Sequence, residues 1–143
     1  MKLGSFEYIE DVKTRSNSDE EYLRLAQGEN ESYTMHILAE PDKGVPSDLI
    51  VGYKLDDGKI TDIWEGTRDT DFTLTARYGV WVDILTGKLN AVKALSLRRL
   101  KIKGSFLKLL KSKSTERWVD VLMSIPTEFD GDYAQLNTNG YDL

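Results

Sequence analysis

Apolar and polar residues alternate along the central part of the chain, and this two-residue period is typical of β-strands. The alternation runs through positions 33–37, 49–55 and 72–76. Between the second run and Ile60 the sequence reads Asp-Asp-Gly-Lys, which favours a tight turn and an antiparallel hairpin. A shorter alternation at 100–104 predicts a last strand. Together with the second strand of the hairpin, which begins at Ile60, these four segments predict a sheet of five strands.

Helical periodicity is found on both sides of these strands. Apolar positions at helical spacing begin after Ser5, and a second short helix is predicted after Ser18 because Glu21 completes a capping-box pattern with it. Further helical segments are expected at 78–85, 89–95, 106–110 and 115–125. Pro126 ends the last of them. The polar residues that follow offer few anchors, so we expect them to pack loosely.

The composition excludes several classes of protein. A net charge of −5 argues against nucleic-acid binding, because neutralising phosphates requires an excess of Lys and Arg on the binding face. The absence of cysteine excludes disulfides, thiolate nucleophiles and zinc fingers. No apolar run approaches the ~20 residues that span a bilayer, and the first residues do not resemble a signal peptide. We therefore expect a cytoplasmic protein.

Positive charge is concentrated in one segment. Residues 93–117 carry nine Lys and Arg residues but a single acidic residue, Glu116. One interpretation is an ordinary solvated face. The other is a docking face for anionic lipid headgroups, in which the protein makes transient contact with a membrane surface. The residues expected to make that contact are Lys101, Lys103, Lys108 and Lys111.

Few residues offer catalytic chemistry. His36 is the only histidine, and the strand pattern places it on the face opposite Met35 and Ile37. A lone histidine makes no common metal site. Asp83 stands among apolar residues, and an exposed position on its helix is the favoured interpretation. No catalytic residue, metal ligand or cofactor is therefore assigned.

Three short motifs lie between residues 72 and 110: Gly-Lys-Leu at 87–89, Ala-Leu at 94–95 and Leu-Lys-Ile-Lys-Gly at 100–104. These motifs resemble those of the sterol carrier protein type-two family. Their spacing and their order on matching elements make the combination specific, and the resemblance covers about residues 18–124. Two positions depart from the family pattern. Arg98 replaces a frequent glycine, so its backbone should not need a glycine-only conformation, and Ser105 replaces a frequent Asp or Asn.

The resemblance implies an α+β fold, in which a mostly antiparallel five-stranded sheet is covered on one face by helices. It also implies an apolar tunnel between the layers. We expect one domain over 1–143, with a core at about 18–124 and a polar tail at 127–143. The segment 115–125 is apolar around most of its circumference, as expected beside a tunnel. The candidate ligand-binding residues are Met35, Ile37, Val51, Tyr53, Phe72, Leu74, Tyr78, Trp81, Leu85, Leu95, Ile102, Phe106, Leu110, Leu122 and Met123.

The function implied by this resemblance is non-catalytic binding and intracellular transfer of an apolar small molecule. Fatty acids, acyl-CoA and sterol-like lipids are all candidates. Two alternatives remain: an enzyme that acts on a lipid-like substrate, and a dimerising interaction module with a filled core. The sequence leaves open the identity of the ligand, the oligomeric state, and whether the tail closes the tunnel.

Overall fold

A five-stranded sheet lies at the centre of the structure, a computed structural model that describes residues 1–136 apart from the side chain of Leu110. The strands are β1 (Ser32–Leu38), β2 (Leu49–Asp56), β3 (Lys59–Glu65), β4 (Phe72–Arg77) and β5 (Lys101–Lys103). Their order across the sheet is β3-β2-β1-β4-β5. The pair β1 and β4 is parallel, and the other neighbours are antiparallel. The predicted α+β class and mostly antiparallel sheet are confirmed.

The turn between β2 and β3 forms at the Asp-Gly pair that predicted it. Asp57 has a φ of 49° and Gly58 a φ of 83°. Both angles lie in the left-handed region that a two-residue hairpin turn of this type requires. A side chain at Gly58 would also collide with Ala26, whose carbonyl oxygen would lie 2.6 Å from the added Cβ. The hairpin prediction is confirmed.

Six helices accompany the sheet within the residues that the structure describes. They are α1 (Phe6–Ser18), α2 (Glu20–Leu25), α3 (Tyr78–Leu85), α4 (Ala91–Ser96), α5 (Phe106–Lys111) and α6 (Ser114–Ser124), with short 3-10 turns at Pro41–Lys43 and Gly131–Tyr133. Within residues 1–136, none of the helices is both long enough and apolar enough to cross a membrane.

The cap of α2 differs from the prediction. Ser18 is the last residue of α1, and its hydroxyl donates a hydrogen bond to the Thr14 carbonyl at 2.8 Å. Asp19 caps α2 instead, and its carboxylate accepts a hydrogen bond from the Tyr22 amide at 2.8 Å. The same carboxylate accepts two hydrogen bonds from Arg117 of α6. A charged acceptor that serves both a helix start and an arginine therefore replaces the predicted serine.

The two faces of the sheet have different environments. Met35, Ile37 and Val51 share one face with no exposed surface, and α1 and α3 pack against that face. On the opposite face His36 is partly exposed, and its Nε2 atom lies 2.9 Å from Oδ2 of Asp48. The core therefore lies between the sheet and the helices on the face that the strand pattern indicated.

The first part of the C-terminal tail is packed, contrary to prediction. The Glu128 backbone amide donates to the Met1 carbonyl at 2.7 Å, and the Leu3 amide donates to the Glu128 carbonyl at 3.1 Å. Phe129 is buried with 2% of its surface exposed. The Tyr133 ring lies 5.6 Å from the Tyr78 ring. These contacts anchor a segment whose composition is mainly polar, and residues 137–143 lie outside the described part.

The buried core also extends beyond 18–124 at both ends. Tyr8, Ile9 and Val12 of α1 have no exposed surface. Phe129 extends the core in the other direction.

Candidate functional site

A small apolar cavity of about 60 Å³ lies between the sheet and the helices that cover it. Both layers contribute to its wall. Every second residue of a strand faces the helices, and Trp118 and Leu122 lie one turn apart on the same face of α6. The wall is formed by Tyr22, Glu29, Tyr33, Tyr53, Leu55, Leu74, Trp81, Ile84, Ala91, Leu95, Leu100, Ile102, Leu109, Ser114, Thr115, Trp118, Val119 and Leu122.

Aromatic rings cover one side of the cavity. Tyr33 is paired with Tyr53 on β2 and with Phe72 on β4. Its ring stacks on both neighbours, with centroids 5.1 Å apart in each pair. Trp118 of α6 also lines the cavity, and the centroid of its ring lies 5.6 Å from that of the Tyr53 ring. Burial raises the pKa of Tyr33 and of Tyr53, so both phenols stay neutral at physiological pH.

One end of the cavity is polar. The Glu29 carboxylate, just before β1, accepts hydrogen bonds from the Ser112 hydroxyl at 2.7 Å and from the Ser114 hydroxyl at 2.7 Å. The two serine hydroxyl oxygens lie 2.8 Å apart. Ser114 is buried and stands at the start of α6. This carboxylate therefore connects the turn between α5 and α6 to the loop that precedes the central strand β1.

A groove of about 720 Å³ adjoins the cavity between α4 and α6. Its surface is mixed, with apolar Val92 and Met123 beside polar Asn90 and Glu116. The cavity and the groove share a wall made of Ile84, Ala91, Leu95, Leu109, Thr115 and Val119. A molecule in the groove would therefore be separated from the cavity by these side chains.

The part of the chain that forms the sheet and most of the cavity wall matches a known family. The model of the SCP-2 sterol transfer family matches residues 9–115. The chain belongs to this family. The motifs between residues 72 and 110 fall within the matched range, so the predicted resemblance is confirmed.

Solved structures of the sterol carrier type share the fold. A crystal structure of sterol carrier protein 2 is 22% identical, covers 87% of this chain and 99% of its own, and superposes with a TM-score of 0.78. A conserved hypothetical protein from Thermus thermophilus is 22% identical, with coverage of 85% and 88% and a TM-score of 0.74. Sterol carrier protein-2 from Aedes aegypti, solved with palmitate, is 19% identical, with coverage of 85% and 98% and a TM-score of 0.56. No curated protein matches the sequence.

In this member of the sterol transfer family, only part of the candidate set lines the cavity. The candidates found in its wall are Tyr53, Leu74, Trp81, Leu95, Ile102 and Leu122. Met123 lies in the groove. The candidates that are buried outside the cavity wall are Met35, Ile37, Val51, Phe72, Tyr78 and Leu85. Phe106 is 46% exposed because it begins the short helix α5 at the surface. The Leu110 side chain lies outside the described part.

Several residues of the cavity wall were not among the candidates. Tyr33 lies on the same strand face as Met35, and its position in the strand pattern could have identified it. Val119 could have been found from the apolar circumference of α6. Glu29 gave no signal, because its partners Ser112 and Ser114 are distant in the sequence.

The residues considered for catalysis lie away from the cavity wall. His36 is paired with Asp48 on the outer side of the sheet. Asp83 forms an ion pair with Arg99 at 3.6 Å and is about one-third exposed. Both positions agree with the structural roles that the sequence favoured.

Arg98 contradicts the expectation drawn from its side chain. Its φ is 59°, in the left-handed region where relatives carry glycine. Its amide donates to the Leu95 carbonyl at 3.0 Å, which ends α4 with a turn of the kind that glycine usually provides. The backbone conformation is thus kept, and an arginine adopts it at a cost of roughly 1 kcal/mol.

Proposed function

We propose that this protein binds a long-chain lipid without catalysing its conversion and transfers it within the cell. The observation that carries the proposal is the apolar cavity between the sheet and α6, in a chain of the sterol transfer family. The Aedes aegypti relative, solved with palmitate, supports a fatty acid as one ligand class. Acyl-CoA and sterol-like lipids remain in the proposal.

The cavity must enlarge to accept such a ligand. A volume of about 60 Å³ has room for a few water molecules, whereas small-molecule pockets usually measure ~300–1,000 Å³. The adjoining groove is of that size. We infer that the lipid enters through the groove and separates α4 from α6 as it reaches the cavity. Helix α4 suits this role because it has only six residues and its Val92, which lines the groove, is 47% exposed.

The energetics allow this exchange. Burying a methylene group is worth about 0.8 kcal/mol, so a long acyl chain gains roughly 12 kcal/mol before costs. Ordering the lipid and moving α4 remove part of this gain. A remainder of ~8 kcal/mol corresponds to micromolar affinity. Such binding is strong enough to hold a lipid and weak enough to release it.

Displacement of a fluorescent fatty acid tests the proposal. We expect the purified protein to enhance the fluorescence of the probe, and unlabelled lipid to reverse the enhancement. If no acyl chain or sterol displaced the probe, the proposal would be wrong.

The membrane contact expected from the basic segment is part of the proposal. Lys111 lines the groove, and on the same helix Phe106 is 46% and Leu107 67% exposed. Lys108 instead pairs with Glu31 at 2.9 Å. Lys101 and Lys103 are exposed on β5.

We propose that the exposed side of α5 contacts an anionic bilayer while the lipid passes through the groove. Transfer between vesicles should be faster when they contain phosphatidylserine and slower in high salt. Rates that depend on neither would remove this part of the proposal. The cytoplasmic location stays a prediction that cell fractionation can check.

A second candidate function is favoured by the small size of the cavity. An interaction module with a filled core would show an interior of this kind. It would bind no lipid, and light scattering would show a dimer or a larger complex. Failure of lipid binding together with a dimer in solution would support this candidate.

A further inference from the structure

The polar end of the cavity is built around the carboxylate of Glu29. Ser112 and Ser114 each have one hydroxyl hydrogen, so together they satisfy at most two acceptor positions of the carboxylate. A carboxylate has about four such positions. Glu29 therefore has acceptor capacity left for a ligand.

Positive charge does not neutralise this end of the cavity. No ion pair between residues of the described range 1–136 includes Glu29, and the basic side chain of Lys108 pairs with Glu31 instead. The neighbouring polar groups are the hydroxyls of Tyr22 and Tyr33. Burial, followed by the negative charge of Glu29, raises the pKa of both, so they remain neutral. The Glu29 carboxylate thus lies beside hydroxyl groups that stay neutral.

Glu29 lies close to the boundary between the cavity and the groove. It lines the cavity, and its hydrogen-bond partner Ser112 lines the groove. The head of a lipid that enters through the groove can therefore reach Glu29.

We propose that Glu29 selects lipids with a neutral head that donates a hydrogen bond, such as a long-chain alcohol, over lipids with a carboxylate head. This inference rests on the proposed lipid binding. A hydroxyl head can donate to a free acceptor position of Glu29 and satisfy its own hydrogen. A carboxylate head would place a second negative charge beside Glu29 in a site of low dielectric constant, which is unfavourable.

The test compares three lipids that share one chain length: hexadecanol, palmitate and methyl palmitate. Each displaces the same neutral fluorescent probe from the wild-type chain at neutral pH. We expect hexadecanol to bind at least about tenfold more tightly than palmitate. Methyl palmitate carries no charge and donates no hydrogen bond, so it should fall between them.

The variant Glu29→Gln removes the charge but keeps an oxygen that can accept from the serines. We expect it to abolish most of the preference for hexadecanol over palmitate. Glu65→Gln is the matched control, because Glu65 is exposed on β3 and does not line the cavity. It should leave the preference unchanged.

The outcomes separate the two levels of the proposal. If none of the three lipids displaced the probe, the proposed function would be wrong and this inference with it. If all three bound with similar affinity to the wild-type chain, lipid binding would stand and the role of Glu29 would be wrong. This comparison uses only the wild-type chain, so it does not depend on whether a variant folds. If a folded Glu29→Gln variant kept the full preference for hexadecanol, the role of Glu29 would likewise be wrong.

Discussion

Replacing Leu95 with tryptophan tests whether a lipid passes from the groove into the cavity. Leu95 belongs to the wall that the two spaces share, and the cavity behind it measures about 60 Å³. The larger indole ring fills space that the lipid would otherwise use. The same substitution at Leu97 is the matched control, because Leu97 is 54% exposed and lines neither space.

The size of the effect follows from the buried chain. If the ring excludes about three methylene groups at ~0.8 kcal/mol each, binding loses about 2.4 kcal/mol, which is roughly 50-fold in affinity. Displacement of a fluorescent fatty acid measures this change. Thermal unfolding checks that both variants fold, since overfilling a core costs about 1–3 kcal/mol. Wild-type affinity in a folded Leu95→Trp variant would refute passage through this wall.

Further predictions concern the tail, an ion pair and a backbone turn. Phe129→Ala should lower the free energy of unfolding in urea by about 3–5 kcal/mol, because it removes a buried aromatic ring. The hydrogen bonds from Arg117 hold the pKa of Asp19 below its ordinary 3.8, so this pair stabilises the fold above that pH. The stabilisation should be lost as the pH falls through the lower pKa of the folded state, and Asp19→Asn should lack this acid-dependent loss. Arg98→Gly should raise the free energy of unfolding by about 1 kcal/mol, since glycine adopts the left-handed turn without strain.

Each of these predictions has a contradicting result. Phe106→Ala alters an exposed phenylalanine and should change stability little. If Phe129→Ala lowered stability no more than Phe106→Ala does, the tail would not be anchored. Identical acid titrations of wild type and Asp19→Asn would show that the pair with Arg117 contributes nothing. A lower melting temperature of Arg98→Gly would show that the arginine side chain outweighs the backbone strain.

Much of the fold could be predicted because its strands and turns depend on residues that are close together in the sequence. The alternation through Tyr33 and Met35 marks a strand with one buried face, and the pair Asp57 and Gly58 marks the turn. The packing of the tail could not be predicted, because it depends on pairing between Glu128 and the chain start, which lie far apart in the sequence.

The site was harder to predict because a filled core and a cavity wall have the same composition. Met35 and Leu74 are neighbours across the parallel strand pair and share a face. Of these two residues, Leu74 lines the cavity, whereas Met35 is fully buried outside the cavity wall. Glu29 becomes part of the site through serines contributed by the turn between α5 and α6. At Arg98 the residue type was misleading, because the backbone keeps the left-handed conformation although the residue is not glycine.

Mass spectrometry of the organic extract of natively purified protein, after incubation with lipid vesicles, tests the central claim most directly. The account predicts a long-chain lipid in near-stoichiometric amount, and much less of it from Leu95→Trp. Protein that yields no lipid after this incubation would contradict the account, because α4 and α6 would then remain closed over a filled interior.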